Sequence, residues 1–400
     1  MSHPALKREM GLGGAIVTGL GSILGTGAFV AIGVASGNWG DAVLLAVPLA
    51  GLVAMFNGLS SAHLAGRFPV AGGTYEYGYQ ALGPFWGFTA GWLFLLAKTA
   101  SAASAALGVA LYLGIDLDRR FIAIGSVVVV TVLVLAGLRR TTVVNLALVV
   151  LTITALLTFS LSGLAGSTMP PIDPGAIDAG SFLPAIAFLF VAYTGYGRIA
   201  TLGEEVHRPG HTIPRAVLVT LAVAIVIYGL VELGGRSAGG SNWGAGLIEG
   251  ETPADLVPGP WSTMVSIGAV TAMLGVLLNL VLGLSRVWLA MGRRLDMPQG
   301  LARLDARSVP VTAIVTSAVP VAGLTLLGDI SLAWSFSAFS VLLYYGITNL
   351  AALRLDRRRL TGWLGLASCL FLSFFVPIEV WLTGAGLIAI GLLWKSQHRV

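Results

Sequence analysis

The sequence contains little charge and almost no cysteine. Only 10% of its 400 residues are Asp, Glu, Lys or Arg, against about 25% in an ordinary soluble protein, whereas 56% are hydrophobic. Its single cysteine, Cys369, lies within an apolar run, which excludes a disulfide framework and a cysteine-based zinc site. This composition indicates a polytopic membrane protein whose main surroundings are the lipid bilayer.

Long apolar runs alternate with short polar segments along the whole chain. They predict an all-α protein with about twelve transmembrane helices. The candidate spans cover residues 11–36, 42–66, 83–114, 119–138, 142–165, 181–203, 213–234, 261–290, 309–327, 331–353, 362–376 and 377–394. The last two share one apolar stretch divided by Pro377 and Glu379, so they could form two spans or one long helix.

The basic residues gather in alternate loops. With a cytoplasmic N-terminus, seventeen of the 23 Lys and Arg residues fall in inner segments, and only Arg119, Arg120 and Arg236 fall in outer ones. This bias predicts a multi-pass protein of the cell membrane with both termini in the cytoplasm. It also explains the net charge of +5 without nucleic acid as a partner. The long outer segment from about 236 to 260 could fold back as a lid or a short helix.

The first span is interrupted at its centre by Gly21-Ser22-Ile23-Leu24-Gly25-Thr26-Gly27. Three glycines and two hydroxyl residues are a poor composition for a continuous helix. In hydrocarbon a broken helix is tolerated only where its freed backbone groups face protein or a water-filled cavity. Freed N–H groups can bind a carboxylate and freed carbonyls can bind an ammonium group. The alternative is that these glycines serve only close helix packing.

Span six carries a second interruption, Tyr193-Thr194-Gly195-Tyr196-Gly197. Interrupted helices at equivalent positions of two five-span halves are typical of transporters built from inverted repeats. We therefore predict that helices 1 and 6 are discontinuous and meet near the midplane of the membrane. The predicted organisation is a first repeat in residues 1–165, a second in 166–353, and two additional helices in 354–400.

Five motifs follow one another in the order found in a known family. They are the span-one stretch from Gly21 to Phe29, Arg67-Phe68-Pro69-Val70-Ala71-Gly72-Gly73-Thr74-Tyr75-Glu76-Tyr77, Ala81-Leu82-Gly83-Pro84 with the following Gly87–Trp92, Gly203-Glu204-Glu205 through Ile213-Pro214-Arg215, and Ser285–Arg293. With these motifs the sequence resembles the amino acid permeases of the amino acid–polyamine–organocation (APC) superfamily over most of its length. The resemblance implies the leucine-transporter type of fold, with two inverted five-helix repeats, and transport by alternating access.

The resemblance also implies a substrate site at the two breaks. The carboxylate of an amino acid would meet Gly25, Thr26 and Gly27, and its α-ammonium group would meet carbonyls near Ile23 and at Ala192 and Gly195. Ser22 could contact either group. Tyr193 and Tyr196 could close over the substrate as gates, or could simply pack between helices. No metal or other cofactor is expected.

At the positions that the resembling family uses for proton coupling, this sequence has different residues. The arginine/agmatine antiporter branch has a glutamate at the position of Gly197, and several proton-coupled relatives have a lysine near Thr152. Lys98, in the middle of span three, is the candidate coupling residue, because a lysine at this depth is costly unless it has a function. It could titrate during the cycle, stay charged and replace a bound cation, or cap helix carbonyls. Thr152 could instead help to line a cation site between spans one, five and eight.

Four charged residues are expected near the cytoplasmic face as an ion-pair network that opens and closes the inner gate. They are Arg67, Glu76, Glu204 and Arg286. The alternative is that they are only solvated loop charges.

Together these features predict a secondary active transporter that moves neutral or small α-amino acids by proton symport or by exchange. A monomer or a loose homodimer is expected to suffice. The alternatives are a membrane amino acid sensor that does not transport and a sodium-coupled symporter. An enzyme is not expected, because His63, the one histidine in the middle of a span, lies in neither of the usual metalloprotease and serine hydrolase motifs.

Overall fold

The computed structural model describes residues 10–68, 73–137, 142–166, 169–201 and 206–397. Within these ranges the chain is helical, and its one β-type contact is an isolated bridge between Met10 and Val206. The helices are α1 (Leu12–Ile23), α2 (Ile32–Trp39), α3 (Ala42–Arg67), α4 (Thr74–Leu82), α5 (Pro84–Leu113), α6 (Arg119–Leu135), α7 (Thr142–Gly166), α8 (Ala179–Tyr193), α9 (Gly197–Ala200), α10 (Pro209–Gly239), α11 (Gly246–Glu249), α12 (Trp261–Arg293), α13 (Val311–Thr325), α14 (Ile330–Leu355), α15 (Leu360–Leu372) and α16 (Ile378–Gln397).

Each predicted span corresponds to a helix or to a broken helix. Eight helices of the described ranges are long and apolar enough to cross a membrane, and the pair Leu12–Ile23 and Gly27–Trp39, bent by 43°, makes a ninth. The other three predicted spans coincide with the shorter α6, α13 and α15. The structure also divides the last apolar stretch into α15 and α16. The prediction of an all-α polytopic membrane protein is confirmed.

Several helix ends follow from residues at the polar edges of the spans. Gly83, with φ of 102°, and Pro84 begin α5, and Gly114 ends it in the left-handed conformation. At the start of α8, Asp178 accepts a hydrogen bond from the Ser181 N–H at 2.8 Å. The hydrogen bonds from Ser181 lower the pKa of the Asp178 carboxyl.

Contacts between the helices occur in two matching sets. The first span packs on the fifth through α1 and α7, and the sixth packs on the tenth through α8 and α14. Likewise α1 contacts α10 whereas α8 contacts α3, and α5 contacts α14 whereas α12 contacts α7. If spans one to five are numbered as spans six to ten, and spans six to ten as spans one to five, each contact in the first set becomes the corresponding contact in the second set. Two five-helix repeats would produce this pattern, and the repeat boundaries at residues 165 and 353 stay predictions.

The segment expected to be a long outer loop begins later than predicted. Helix α10 continues to Gly239, so Arg236 is a fully buried helix residue instead of a loop charge. The segment that follows packs against α2, which the predicted topology makes the outer half of the broken first span. A Cβ atom at Gly244 would lie 1.7 Å from the carbonyl oxygen of Gly33. We call residues 240–260 the lid, and its role as an outer cover stays a prediction.

Small residues let α7 and α10 approach each other closely. A Cβ atom at Gly234 of α10 would lie 2.6 Å from the Cα atom of Ser160 on α7. Without a hydrophobic driving force between helices in lipid, such backbone approaches supply much of the packing energy.

We predict that Gly234→Ala lowers stability by about 1–3 kcal/mol, because its methyl group meets backbone and the two helices must move apart. Gly229→Ala on the same helix is the matched control, since a Cβ there has no atom within 4 Å. Thermal unfolding in one detergent measures both variants. Equal midpoints for the two variants would contradict this packing.

Candidate substrate-binding site

The first break frees a run of backbone N–H groups. Helix α1 ends at Ile23, and a π-helical turn, Gly27–Ala31, begins the outer half of the span. The last N–H of the inner half, on Leu24, bonds to the Leu20 carbonyl at 2.8 Å, and the next bonded one, on Ala28, reaches the Gly25 carbonyl at 3.0 Å. Among the described residues, the N–H groups between them find no acceptor. These are the N–H groups of Gly25, Thr26 and Gly27.

Glycines bring the two breaks into direct contact. The second break is a 3-10 turn, Thr194–Tyr196, between α8 and α9. A Cβ atom at Gly195 would lie 2.2 Å from the carbonyl oxygen of Ser22. A Cβ atom at Gly27 would lie 2.6 Å from the Cβ of Ala192. The backbones of spans one and six therefore touch where both are interrupted.

A tyrosine that the sequence argument missed joins the two breaks. The Tyr228 hydroxyl of α10 lies 2.9 Å from the Ile23 carbonyl oxygen and 3.0 Å from that of Ala192. One hydroxyl has one hydrogen, so it donates to only one of these acceptors at a time. The carbonyls expected to bind an ammonium group thus converge on one point. The available indication was a lone tyrosine in the otherwise apolar stretch 221–231.

Thr26 presents a free hydroxyl at the start of the outer half-helix. The side chain is 2% exposed, and its Oγ1 has no hydrogen-bond partner among the described atoms. A buried hydroxyl without a partner is costly. A bound ligand would remove this cost, and the unbonded N–H groups at the same break could contact that ligand as well.

Lys98 reaches the second break from span three. Its Nζ donates to Thr194 Oγ1 at 3.1 Å, and this hydroxyl donates in turn to the Val191 carbonyl at 2.8 Å. The lysine is partly buried. In the described part of the chain no carboxylate lies within ion-pair distance of it. The breaks therefore have a positive charge beside them and no described acid to balance it.

The other predicted site residues are engaged in packing or in local hydrogen bonds. The Ser22 hydroxyl donates to the Thr18 carbonyl at 2.9 Å. Tyr193 is fully buried, donates to the Val47 carbonyl at 2.8 Å and contacts the Tyr228 ring. Tyr196 is also fully buried, and its ring centre lies 5.2 Å from that of Tyr345. Gating by the two tyrosines stays a prediction.

At the predicted cytoplasmic side, Glu76 pairs with a residue outside the expected set. Both of its carboxylate oxygens lie 2.6 Å from Arg294 Nη2, and the Arg294 guanidinium stacks on the Tyr79 ring. Arg67 and Arg286 are exposed on α3 and α12. Glu204 lies outside the described residues. The observed ion pair at this face therefore joins α4 to the end of α12.

A buried carboxylate beside this pair ties the last helix to the same face. Asp296 accepts hydrogen bonds from Tyr75 at 2.8 Å, from Tyr79 at 2.5 Å and from Lys395 of α16. Asp296 is 1% exposed. Lys395 thus has a buried carboxylate as its partner.

A small cavity lies between α1, α7 and α12, where a cation site was considered. Leu20, Gly21, Leu24, Leu148, Val149, Thr152 and Ala272 line it. The Thr152 hydroxyl donates to the Leu148 carbonyl at 2.7 Å. No carboxylate is among the lining residues that the structure describes.

Comparison with known proteins agrees with this architecture. A family model described as amino acid permease matches residues 14–248, which include both breaks, Lys98 and Tyr228. An uncharacterised transporter of Mycobacterium tuberculosis (strain ATCC 25618 / H37Rv) is 39% identical over 99% of this chain and 92% of its own length.

Two more distant relatives have names that state a substrate class. The branched-chain amino acid permease BcaP of Bacillus subtilis (strain 168) is 26% identical over 84% of this chain and 80% of its own. Cationic amino acid transporter 3, mitochondrial, of Arabidopsis thaliana is 26% identical over 82% of this chain and 59% of its own. The two names refer to amino acids with different side chains, branched aliphatic in one case and cationic in the other.

Proposed function

The chain belongs to the amino acid permease family, and we propose that it carries neutral α-amino acids across the cell membrane by alternating access. The observation that supports this most strongly is the contact between the two broken helices. On one side of the contact are unbonded N–H groups and the free Thr26 hydroxyl. On the other side are the Ile23 and Ala192 carbonyls, both within 3.0 Å of one hydroxyl.

An α-amino acid matches these two sets of groups. Its carboxylate would accept hydrogen bonds from the N–H groups of Gly25 and Gly27 and from Thr26, at the positive end of the outer half-helix. Its ammonium group would donate to the Ile23 and Ala192 carbonyls, and the Tyr228 oxygen could accept from it as well. The backbone supplies most of this recognition, so no charged side chain is needed for the zwitterion itself.

The charge beside the site favours a neutral substrate side chain. Lys98 lies 3.1 Å from Thr194 in the second break, and no described carboxylate opposes it. A cationic substrate side chain would be repelled, whereas an aliphatic one would not. Of the two substrate classes in the relatives' names, this argument supports the branched-chain type.

Alternating access requires contacts that can open on each side of the site. On the outer side the lid after α10 covers α2. On the side predicted to be inner, the Glu76–Arg294 ion pair joins α4 to the end of α12, and the His207 N–H donates to the Met10 carbonyl at 2.9 Å. We propose that these inner contacts break when the substrate leaves. The inner roles of Arg67, Glu204 and Arg286 stay predictions.

Coupling is by proton symport or by exchange, with Lys98 as the candidate coupling residue. Its hydrogen bond to Thr194 joins span three to the break in span six. Movement of that break would therefore change the surroundings of the lysine. A sodium-coupled symporter is the second candidate, and the cavity beside Thr152 is the observation that favours it.

Transport by purified protein in proteoliposomes tests the proposed function. We expect uptake of labelled leucine and of other neutral amino acids, and little uptake of arginine, because the charge of Lys98 repels cationic side chains. Internal amino acid, an inward proton gradient and sodium are varied separately, and empty liposomes are the control. Uptake that needs sodium would support the second candidate. A protein that takes up no amino acid would contradict transport and support the sensor alternative.

Substitution of Lys98 tests its coupling role. We expect that Lys98→Ala loses accumulation driven by the proton gradient and keeps exchange of internal for external leucine. Lys98→Arg is the matched variant, because arginine keeps the charge and does not release a proton. Coupling that survives in Lys98→Arg identifies a fixed charge, and coupling lost in both variants identifies titration. Full coupling in Lys98→Ala would exclude Lys98 as the coupling residue.

Tyr228→Phe should weaken substrate binding without abolishing the fold. A hydrogen bond to a charged group contributes about 1.5–3 kcal/mol, so KM for leucine is expected to rise by about tenfold or more. Tyr112→Phe is the control, since the Tyr112 hydroxyl donates to the Phe29 carbonyl at 2.8 Å, outside the proposed ammonium site. An unchanged KM in Tyr228→Phe would place the ammonium group elsewhere.

A further inference from the structure

Three ionisable side chains are buried together at the outer end of α10. Arg236 Nη1 lies 2.6 Å from Asp41 Oδ1, and the two side chains are 0% and 6% exposed. Glu232, one helical turn before Arg236, is 0% exposed. Ionised groups are rarely buried in this way, because removing charge from water is costly unless the charge is balanced.

The hydrogen bonds around Glu232 connect it to the outer half-helix and to the lid. Its Oε1 lies 3.3 Å from the Ser36 hydroxyl of α2, and its Oε2 accepts from the Trp243 indole N–H at 3.1 Å. The same Ser36 hydroxyl lies 3.0 Å from the Ser241 carbonyl oxygen. Glu232 therefore contacts both surfaces that must separate when the outer side opens.

The hydrogen bonds around Ser36 require a proton on Glu232. The Ser36 hydroxyl has one hydrogen, and both neighbouring oxygens, Glu232 Oε1 and the Ser241 carbonyl, need one. If Glu232 carries a proton, its O–H donates to Ser36, and Ser36 donates to Ser241. Trp243 then satisfies the other carboxyl oxygen. If Glu232 is ionised, one of these two oxygens has no donor among the described residues.

The charges of the cluster also favour a proton on Glu232. Burial opposes ionisation of Asp41, but the Asp173 N–H and the Arg236 guanidinium outweigh it and hold the pKa of the Asp41 carboxyl below its ordinary value. The Asp41–Arg236 pair is then neutral as a unit. A protonated Glu232 keeps the whole cluster neutral, whereas an ionised one adds an unbalanced charge in a dry site.

No other ionisable group faces Glu232 from the described helices packed against α10. Helices α1, α2 and α7 contain no Asp, Glu, His, Lys or Arg. On α3 the charged residues are His63 and Arg67, toward the end away from Asp41, and α9 carries Arg198, eleven residues before the first residue of α10. Asp255, in the short turn Pro253–Leu256, is exposed and accepts from the N–H and hydroxyl of Thr252.

We propose that Glu232, Ser36 and Trp243 form a proton-linked outer gate of the transport cycle. As the lid closes on α2, the Glu232 carboxylate takes one proton from the outer solution, and a carboxylic acid forms. As the lid opens, Ser36 and Trp243 leave, water enters and the proton returns to the same solution. The two guanidinium nitrogens of Arg236 that have no described partner, Nε and Nη2, then lie one turn from the carboxylate and can pair with it.

This linkage fixes the sign of the pH dependence. Because closing binds a proton, a low outer pH favours the closed gate and a high outer pH favours the open one. A single linked proton changes the ratio of open to closed forms by about tenfold per pH unit at most. The inference rests on the proposed function only in assigning the gate to a transport cycle, since gate opening is measurable without substrate.

Labelling of a cysteine under the lid measures opening directly. Leu247 is 7% exposed and packs against Gly33, so Leu247→Cys reacts with a membrane-impermeant maleimide only when the lid lifts. Cys369→Ser provides the background and can keep the hydrogen bond to Asn57. Leu117→Cys, on an outer loop and 56% exposed in the wild type, corrects for the effect of pH on the thiol itself.

In intact cells the labelling rate at position 247, relative to that at position 117, should rise as the outer pH is raised. Glu232→Gln should make this ratio low and constant, because the amide imitates the protonated acid and keeps the gate closed. A carboxylate that was only structural would give the opposite result, with a higher ratio after its removal. A ratio that rises with pH in Glu232→Gln as in the wild type would overturn the proposal.

A second variant keeps the test decisive if Glu232→Gln is not produced in folded form. Ser36→Ala removes the acceptor for the Glu232 proton, so closing should need a lower pH and the labelling profile should shift toward acid. A wild-type ratio that does not change with pH, or an unshifted profile in Ser36→Ala, would refute the linkage.

Failure of the reagent to reach Leu117→Cys from outside would refute an outer location. Absent amino acid transport with a normal labelling profile would refute the proposed function alone.

Discussion

The structure depends on one constraint: in hydrocarbon every backbone N–H and C=O group needs a partner within the protein. Span one interrupts its backbone hydrogen bonds at Gly25–Gly27, span six tightens into a 3-10 turn at Thr194–Tyr196, and the structure places the two interruptions against each other. Gly27 and Gly195 permit the contact, and the Tyr228 hydroxyl lies within 3.0 Å of one carbonyl oxygen from each span and donates to one of them at a time. The N–H groups of Gly25, Thr26 and Gly27, together with the Thr26 hydroxyl, remain available to a ligand. The proposed substrate site is thus the part of the backbone whose hydrogen bonds the described chain does not complete.

Much of the fold could be predicted from the sequence because it follows from local composition. Apolar runs define the spans, and the glycine and hydroxyl residues around Gly25 and Gly195 place the two breaks. The matching contacts of α1 with α7 and of α8 with α14 agree with two repeats, although a sequence alone shows no contacts. Lys98 was identifiable because a lysine inside an apolar span is conspicuous. Its partner Thr194, 96 residues away, was not identifiable.

The parts that sequence reasoning missed are long-range polar contacts. Arg236 was assigned to an outer loop because a charge usually ends a span, yet α10 continues past it and buries it against Asp41. Glu76 was expected in a network with Arg67 and Arg286, but its observed partner is Arg294, which follows the end of α12. The position of both charges relative to the membrane stays a prediction. The partner depends on how helices distant in sequence pack together, which periodicity does not reveal.

The buried charges are arranged differently at the two faces and at the centre. Asp296, at the face predicted to be inner, accepts from Lys395 and two tyrosines, so its charge is balanced. Asp41, at the face predicted to be outer, pairs with Arg236, and in the proposed gate the neighbouring Glu232 carries a proton. At the centre Lys98 has a hydroxyl as its partner and no described acid. Burial makes an unbalanced charge costly. We therefore expect Lys98 and Glu232, whose charges the described chain does not balance, to respond most to a substrate, a proton or the opening of a gate.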